Sequence, residues 1–309
     1  MTAESPRAGS PQGAPGWRRF KALIVFTAIL LLIFGWPLLK LVLFAAHSEL
    51  YSHILLIPFI SGYLVWLKRG QIEWQPGPSR AMAWLPFVIG ALALAAYGAA
   101  TRKGWTPEKV DSLAVMTFSF LCFLLGGGLL FAGSKLLRAI AFPVGFLFFS
   151  VPFPLALRNG LETFLQRGST DVAYVFLRLS GMPVLLTGTH FQLPSFSLNV
   201  APECSGIHSS LVLIITSLMA AYLFLKRPLN RWLLVLAVIP LALLRNGFRI
   251  FTIAQLCVHI GPQMIDSAIH RRGGPVFFVL SLVPLFLLLI YLGKSELRKE
   301  QATTVRAKE

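Results

Sequence analysis

The stretch SLAVMTFSFLCFLLGGGLLFAGS, residues 112–134, carries no charge between Asp111 and Lys135. A helix rises about 1.5 Å per residue, so about 20 apolar residues cross a hydrocarbon layer about 30 Å thick. The run is continuously apolar, without the period-two alternation of a membrane β-strand. Lipid offers the backbone no hydrogen-bonding partner, so a run of this kind satisfies its own amides as a helix. Further charge-free runs lie at 22–39, 81–100, 139–157, 209–225 and 273–293, with two shorter ones at 54–67 and 232–244. The expected fold is an all-α polytopic membrane protein of about eight transmembrane helices.

Composition agrees. The 309 residues have a mean hydropathy of +0.71, with 56% hydrophobic and only 13% charged. A soluble domain is about one quarter charged, so a soluble single-core enzyme is excluded, as is a disordered or disulfide-stapled secreted chain. The net charge of +16 sits in short clusters between the apolar runs. Topology explains that pattern better than nucleic-acid binding does, and no nucleic-acid partner is expected. With the N-terminus in the cytoplasm, 17 of the 28 basic residues fall on the inner side, and eight spans bring both termini there. Residues 1–19 read as a disordered cytoplasmic tail with no cleaved leader, 20–293 as the transmembrane domain, and 294–309 as a basic, solvated cytoplasmic tail near anionic lipid.

One long segment lies on the outer side. Residues 158–179 mix apolar and charged residues at helical spacing, as an interfacial helix does. Residues 181–194 change period and read as two short strands turning near Gly188, a β-hairpin before the sixth span. Such a hairpin offers a docking edge for an extended peptide.

Polar groups within or against a bilayer are functional candidates by default. Cys122 and Cys257 lie in apolar runs and read as small buried hydrophobes. Cys204 differs: Pro202 and Glu203 precede it, Ser205 and Gly206 follow, and the sixth span begins here. The positive end of a helix dipole favours a thiolate at such a position. Arg245 and Arg249 are four residues apart and share a helix face with Asn246 close by, a pattern of a polar cavity rather than of one arginine reaching for a headgroup. Arg249 lies about 25 Å along its helix from Trp232, near the outer boundary. His270 precedes Arg271 and Arg272 at the outer mouth of the last span. A thiol, an imidazole and a cation at one boundary are the minimum set for acyl transfer. His208, one turn beyond Cys204, competes as the base, as do His259 and His190. His47 and His53 share an outer loop with Glu49, but no metal-binding histidine pair is spaced along a helix, and neither metal nor cofactor is expected.

The run Pro202-Glu203-Cys204-Ser205-Gly206-Ile207 resembles the Cys-Ser-Gly motif of the exosortase/archaeosortase family. Asn246-Gly247-Phe248-Arg249-Ile250 resembles its Asn-x-x-Arg motif, and His270 falls where exosortases place a third polar residue. Tyr51-Ser52-His53-Ile54-Leu55-Leu56-Ile57-Pro58 is similar to the family's first outer-loop motif. The resemblance covers about 45–293. It implies a membrane-embedded cysteine protease-transpeptidase of the bacterial inner membrane, with its active site on the outer, periplasmic face. Its partners would be membrane lipids and exported proteins bearing a C-terminal sorting signal of PEP-CTERM type, a process tied to surface sorting and exopolysaccharide formation. Carried over, Cys204 is the nucleophile, Arg249 the anion stabiliser and His270 the acid/base, with Asn246, Arg245, Ser205, Gly206 and Glu203 as substrate-binding neighbours. Archaeal relatives use arginine in the third position, which brings Arg271 and Arg272 into consideration. Two other classes compete: a transporter or flippase whose arginines bind an anionic headgroup, and a lipid-handling acyltransferase of envelope assembly. Matching Pro/Gly-broken helices in two halves would mark a transporter, and no internal repeat is evident.

Overall fold

The computed structural model describes residues 15–71, 80–194, 196–266 and 273–306. The chain divides into two compact units, residues 1–155 and 156–309, within the stretch expected as one transmembrane domain.

The first unit begins with α1 (Pro15–Ile33) and α2 (Gly35–Ala46). Helix α1 thus starts inside the expected N-terminal tail, of which residues 1–14 lie outside the described residues. The run 22–39, expected as one straight span, is bent by 67° between the two helices. The cause is Pro37, whose ring has no N–H to donate and clashes with the carbonyl four residues back, at Ile33 where α1 ends. A 3-10 turn (Ser52–Leu55) leads into α3 (Ile57–Leu67), and together these are too short for a span. Helices α4 (Arg80–Arg102) and α5 (Lys109–Phe131) match their expected spans. Small residues let neighbours approach α5 closely: a Cβ on Gly126 would stand 2.9 Å from the Phe87 ring of α4, and one on Gly127 2.3 Å from the Phe26 ring of α1.

The run 139–157 is a second correction. It forms no continuous helix: α6 (Ser134–Ala139) and α7 (Ala141–Phe146) are followed by a 3-10 turn (Leu147–Ser150) and an extended stretch. Pro152 forces Val151 out of the helical region, and Val151 sits at φ −78°, ψ 119°.

The second unit opens with α8 (Leu155–Leu179), a helix where the sequence predicts one. Strands β1 (Leu185–Thr187) and β2 (His190–Gln192) form the expected hairpin, with Thr187 opposite His190 and Gly188 at φ 63° in the turn. A third strand, β3 (Ser197–Asn199), pairs antiparallel with β2 and was not foreseen. Phe191 is fully buried with Ala173 and Leu177 of α8, which seats the sheet on that helix. A 3-10 turn (Pro202–Ser205) precedes α9 (Ile207–Phe224), α10 (Pro228–Leu236) and α11 (Val238–His259). Helices α8 and α11 meet across glycines: a Cβ on Gly247 would lie 2.5 Å from Val172 Cγ1, and one on Gly168 2.9 Å from Leu243 Cδ2.

Helix α12 (Gly274–Arg306) runs through the expected boundary at residue 293 without a break. Residue Glu296, placed by the sequence in a solvated tail, is buried. Its carboxylate accepts the backbone N–H groups of Lys226 (2.8 Å) and Arg227 (2.9 Å) and the Asn230 amide (2.9 Å), capping α10. Among the described residues, five helices are long and apolar enough to cross a membrane, or seven when each of two bent pairs is taken as one span. The protein is an all-α, multi-pass membrane protein with one small sheet; the count of eight was reached by treating the short run 54–67 as a full span.

Candidate functional site

Cys204 does not lie in the first turn of α9. It belongs to the separate 3-10 turn, where its N–H donates to Ala201 O (2.9 Å), and Gly206 stands between that turn and the helix at φ 72°, ψ 20°. This left-handed backbone favours glycine. Space demands it too: a Cβ here would fall 2.9 Å from Asn246 Oδ1 and 3.0 Å from Arg245 Nη2. The thiol is therefore set by a loop with a fixed bend and not by the helix, and the expected i, i+4 geometry to His208 is interrupted at Gly206.

Helix α11 holds that bend. Asn246 Nδ2 donates to Cys204 O (2.8 Å), and Arg245 Nη2 donates to Gly206 O (3.2 Å) and to Ser210 Oγ (3.2 Å). The Gly206 carbonyl also accepts Ser210 N (3.0 Å), Ser210 Oγ (2.8 Å) and Ser209 Oγ (3.1 Å). Arg245 and Asn246 are 6% and 2% exposed, so in the folded chain they grip backbone rather than solvent. Ser205 is buried as well; among the described residues its Oγ and Arg245 Nη1 have no hydrogen-bonding partner. Glu203 is part of the same 3-10 turn.

Arg249, one turn beyond Arg245, is half-buried. It lines a cavity of about 190 Å³ together with Cys204, Asn246, Ile250, Ile253 and residues 197–201. The structure thus brings four of the sequence-predicted residues together: Cys204 and Arg249 on one cavity, with Asn246 lining it and Arg245 behind the turn. His270, Arg271 and Arg272 lie outside the described residues.

The competing histidines do not line that cavity. His208 is exposed in the first turn of α9, and His190 is exposed on β2, on the sheet face opposite Phe191. His259 pairs with Gln255 Oε1 (3.1 Å). In the first unit, His47 Nδ1 and His53 Nδ1 bond to Leu43 O (2.8 Å) and Leu50 O (3.0 Å). Among the described residues no three His, Cys, Asp or Glu side chains form a group that could hold a metal ion. Cys122, Cys204 and Cys257 are thiols rather than disulfides, and Cys122 and Cys257 are buried among apolar side chains.

Sequence reasoning missed Ser210, the partner of Arg245, and Gln166 of α8, whose Nε2 donates to Val200 O ahead of the cysteine. The serine pair at 209–210, three and four residues after Gly206, is the signal that would have found the first.

A sequence profile described as Transmembrane exosortase (Exosortase_EpsH) matches residues 45–287, a stretch that holds Cys204, Arg249 and His270. No curated protein matches the chain, and no solved structure does.

Proposed function

The chain belongs to the transmembrane exosortase family, membrane proteins of protein sorting, and on that premise we propose that it is a cysteine peptidase-transpeptidase acting on the C-terminal sorting signals of exported proteins. The signal in this reading is a short motif of PEP-CTERM type followed by a transmembrane helix. The protein resides in the bacterial inner membrane, with the site toward the outer face. The observation that carries the proposal is the cavity shared by the Cys204 thiol and the Arg249 guanidinium.

Chemistry follows from those groups. The Cys204 thiolate adds to the scissile carbonyl, forming a C–S bond while the carbonyl electron pair moves onto oxygen. Arg249 offers positive charge to that oxyanion. Collapse breaks the C–N bond, His270 gives a proton to the departing amine, and a thioester remains. Water then releases the exported protein, or an amine acceptor takes it to a new anchor. Arg245, Asn246 and Gly206 act one step back by fixing the direction of the Cys204 backbone, which substrate binding alone would not require of them.

The test is Cys204→Ala beside wild type, with a C-terminally tagged PEP-CTERM-type protein in the same membranes, read by gel mobility. Wild type is expected to remove the tag and the variant to leave it intact at equal expression. Equal processing by both overturns the nucleophile assignment.

A further inference from the structure

The sheet order is β1-β2-β3, so β3 is an edge strand with one neighbour. Its register fixes which way each backbone group points. Leu193 N bonds to Phe196 O (3.0 Å) and Val200 N to Thr189 O (3.0 Å), with Phe191 opposite Leu198 between them. In an antiparallel pair, residues that exchange hydrogen bonds alternate with residues that do not. The positions 193/196, 191/198 and 189/200 are the bonded ones, so Leu198 turns its N–H and C=O toward β2. Ser197 and Asn199 turn theirs away, toward the open edge.

That edge borders the cavity of Cys204. Five successive residues, 197–201, form one of its walls. Side chains of a strand alternate between two faces, and Leu198 packs into the core with Phe191 while Ser197 and Asn199 are exposed. Neighbours that point to opposite faces line one cavity together when the strand's edge is what faces it. The lining also includes Ile250 and Ile253 along with Arg249. The lining beside the thiol therefore includes the outward backbone groups of Ser197 and Asn199, which have no partner among the described residues, and the apolar side chains of Ile250 and Ile253.

We propose that an extended peptide enters this cavity as a fourth strand on β3, bonded to the backbone of Ser197 and Asn199, with an apolar side chain against Ile250 and Ile253 and its carbonyl carried toward Cys204. Backbone bonds supply affinity in strand addition, and side-chain pockets supply selectivity. The docking strand is thus β3, which follows the two hairpin strands the sequence offered as a docking edge. The inference rests on Cys204 as the nucleophile and adds how a substrate is held.

Valine-based peptidyl chloromethyl ketones of one to three residues test it, with iodoacetamide as a reagent too small to pair with a strand. Each forms a thioether with the thiol, expelling chloride or iodide. The rate at Cys204 is read on the full-length protein by mass spectrometry of its peptide. The tripeptide-to-iodoacetamide rate ratio is expected to exceed the single-residue ratio at least tenfold. Ser197→Pro removes an outward N–H, a place where an edge strand accepts proline, and is expected to erase that gain, whereas Ser197→Ala keeps it. N-methylation of the tripeptide backbone is expected to erase it too. A ratio independent of peptide length, or a gain that survives Ser197→Pro, overturns strand addition while leaving the thiol's role standing. Absence of labelling at Cys204 by every reagent removes both readings.

Discussion

One cavity in each unit invites comparison, about 170 Å³ in the first and about 190 Å³ in the second. The first lies among α1, α5, α6 and α7 and is walled by aliphatic and aromatic side chains, with Thr27 its one hydroxyl-bearing lining residue. The second presents a thiol, an amide and a guanidinium. Burying such groups costs free energy unless each is bonded, and the second unit spends four donors on the Gly206 carbonyl alone. The apolar cavity of the first unit needs nothing comparable, and aromatic rings such as Phe34, Phe120 and Phe123 pack nearby. Space of this size is generic in a helical membrane protein; a hydrogen-bonded frame around it is not.

Substitutions can break that contrast. The largest expected effect is Arg249→Ala, which removes the charge facing a developing oxyanion and is expected to slow processing by about 10²–10³-fold; a rate within threefold of wild type in a membrane processing assay would put the two cavities on one footing. Next is Gly247→Ala. A methyl group 2.5 Å from Val172 Cγ1 forces α8 and α11 apart, with an expected loss of about 1–3 kcal/mol in a detergent thermal-unfolding assay. Asn246→Ala leaves the Cys204 carbonyl without its 2.8 Å donor, and we expect about 1–2 kcal/mol of destabilisation with slower alkylation of Cys204. Unchanged alkylation would show that the frame holds the helix and not the thiol. Smallest is Thr27→Val in the apolar cavity, a change expected to stay within about 0.5 kcal/mol and to leave processing intact. A loss of processing there would falsify the division of labour between the units.

Hydropathy revealed the spans whose backbone is uninterrupted, and α5 and α9 follow their charge-free runs closely. It failed at 22–39 and 139–157 because it counts apolar side chains and ignores amide protons, so Pro37 and Pro152 weighed as ordinary members of a run. Gly188 announced the hairpin. Nothing announced β3, since Ser197-Leu198-Asn199 has no β-branched residue and is held by pairing with β2. At the site, the residue types of Cys204, Asn246 and Arg249 were legible and their arrangement was not. The left-handed bend at Gly206 and the 35-residue separation of Arg245 from Ser210 are properties of the folded chain.

The cap on α10 carries a consequence for how the protein is made. Lys226, Arg227 and Asn230 present their N–H groups to a carboxylate that follows them by 66 to 70 residues. At a ribosomal pace of about 5–20 residues per second, that carboxylate is made roughly 3–14 seconds after the amides it caps. During that interval the start of α10 is without its cap. Glu296 acts as a latch that closes late in synthesis.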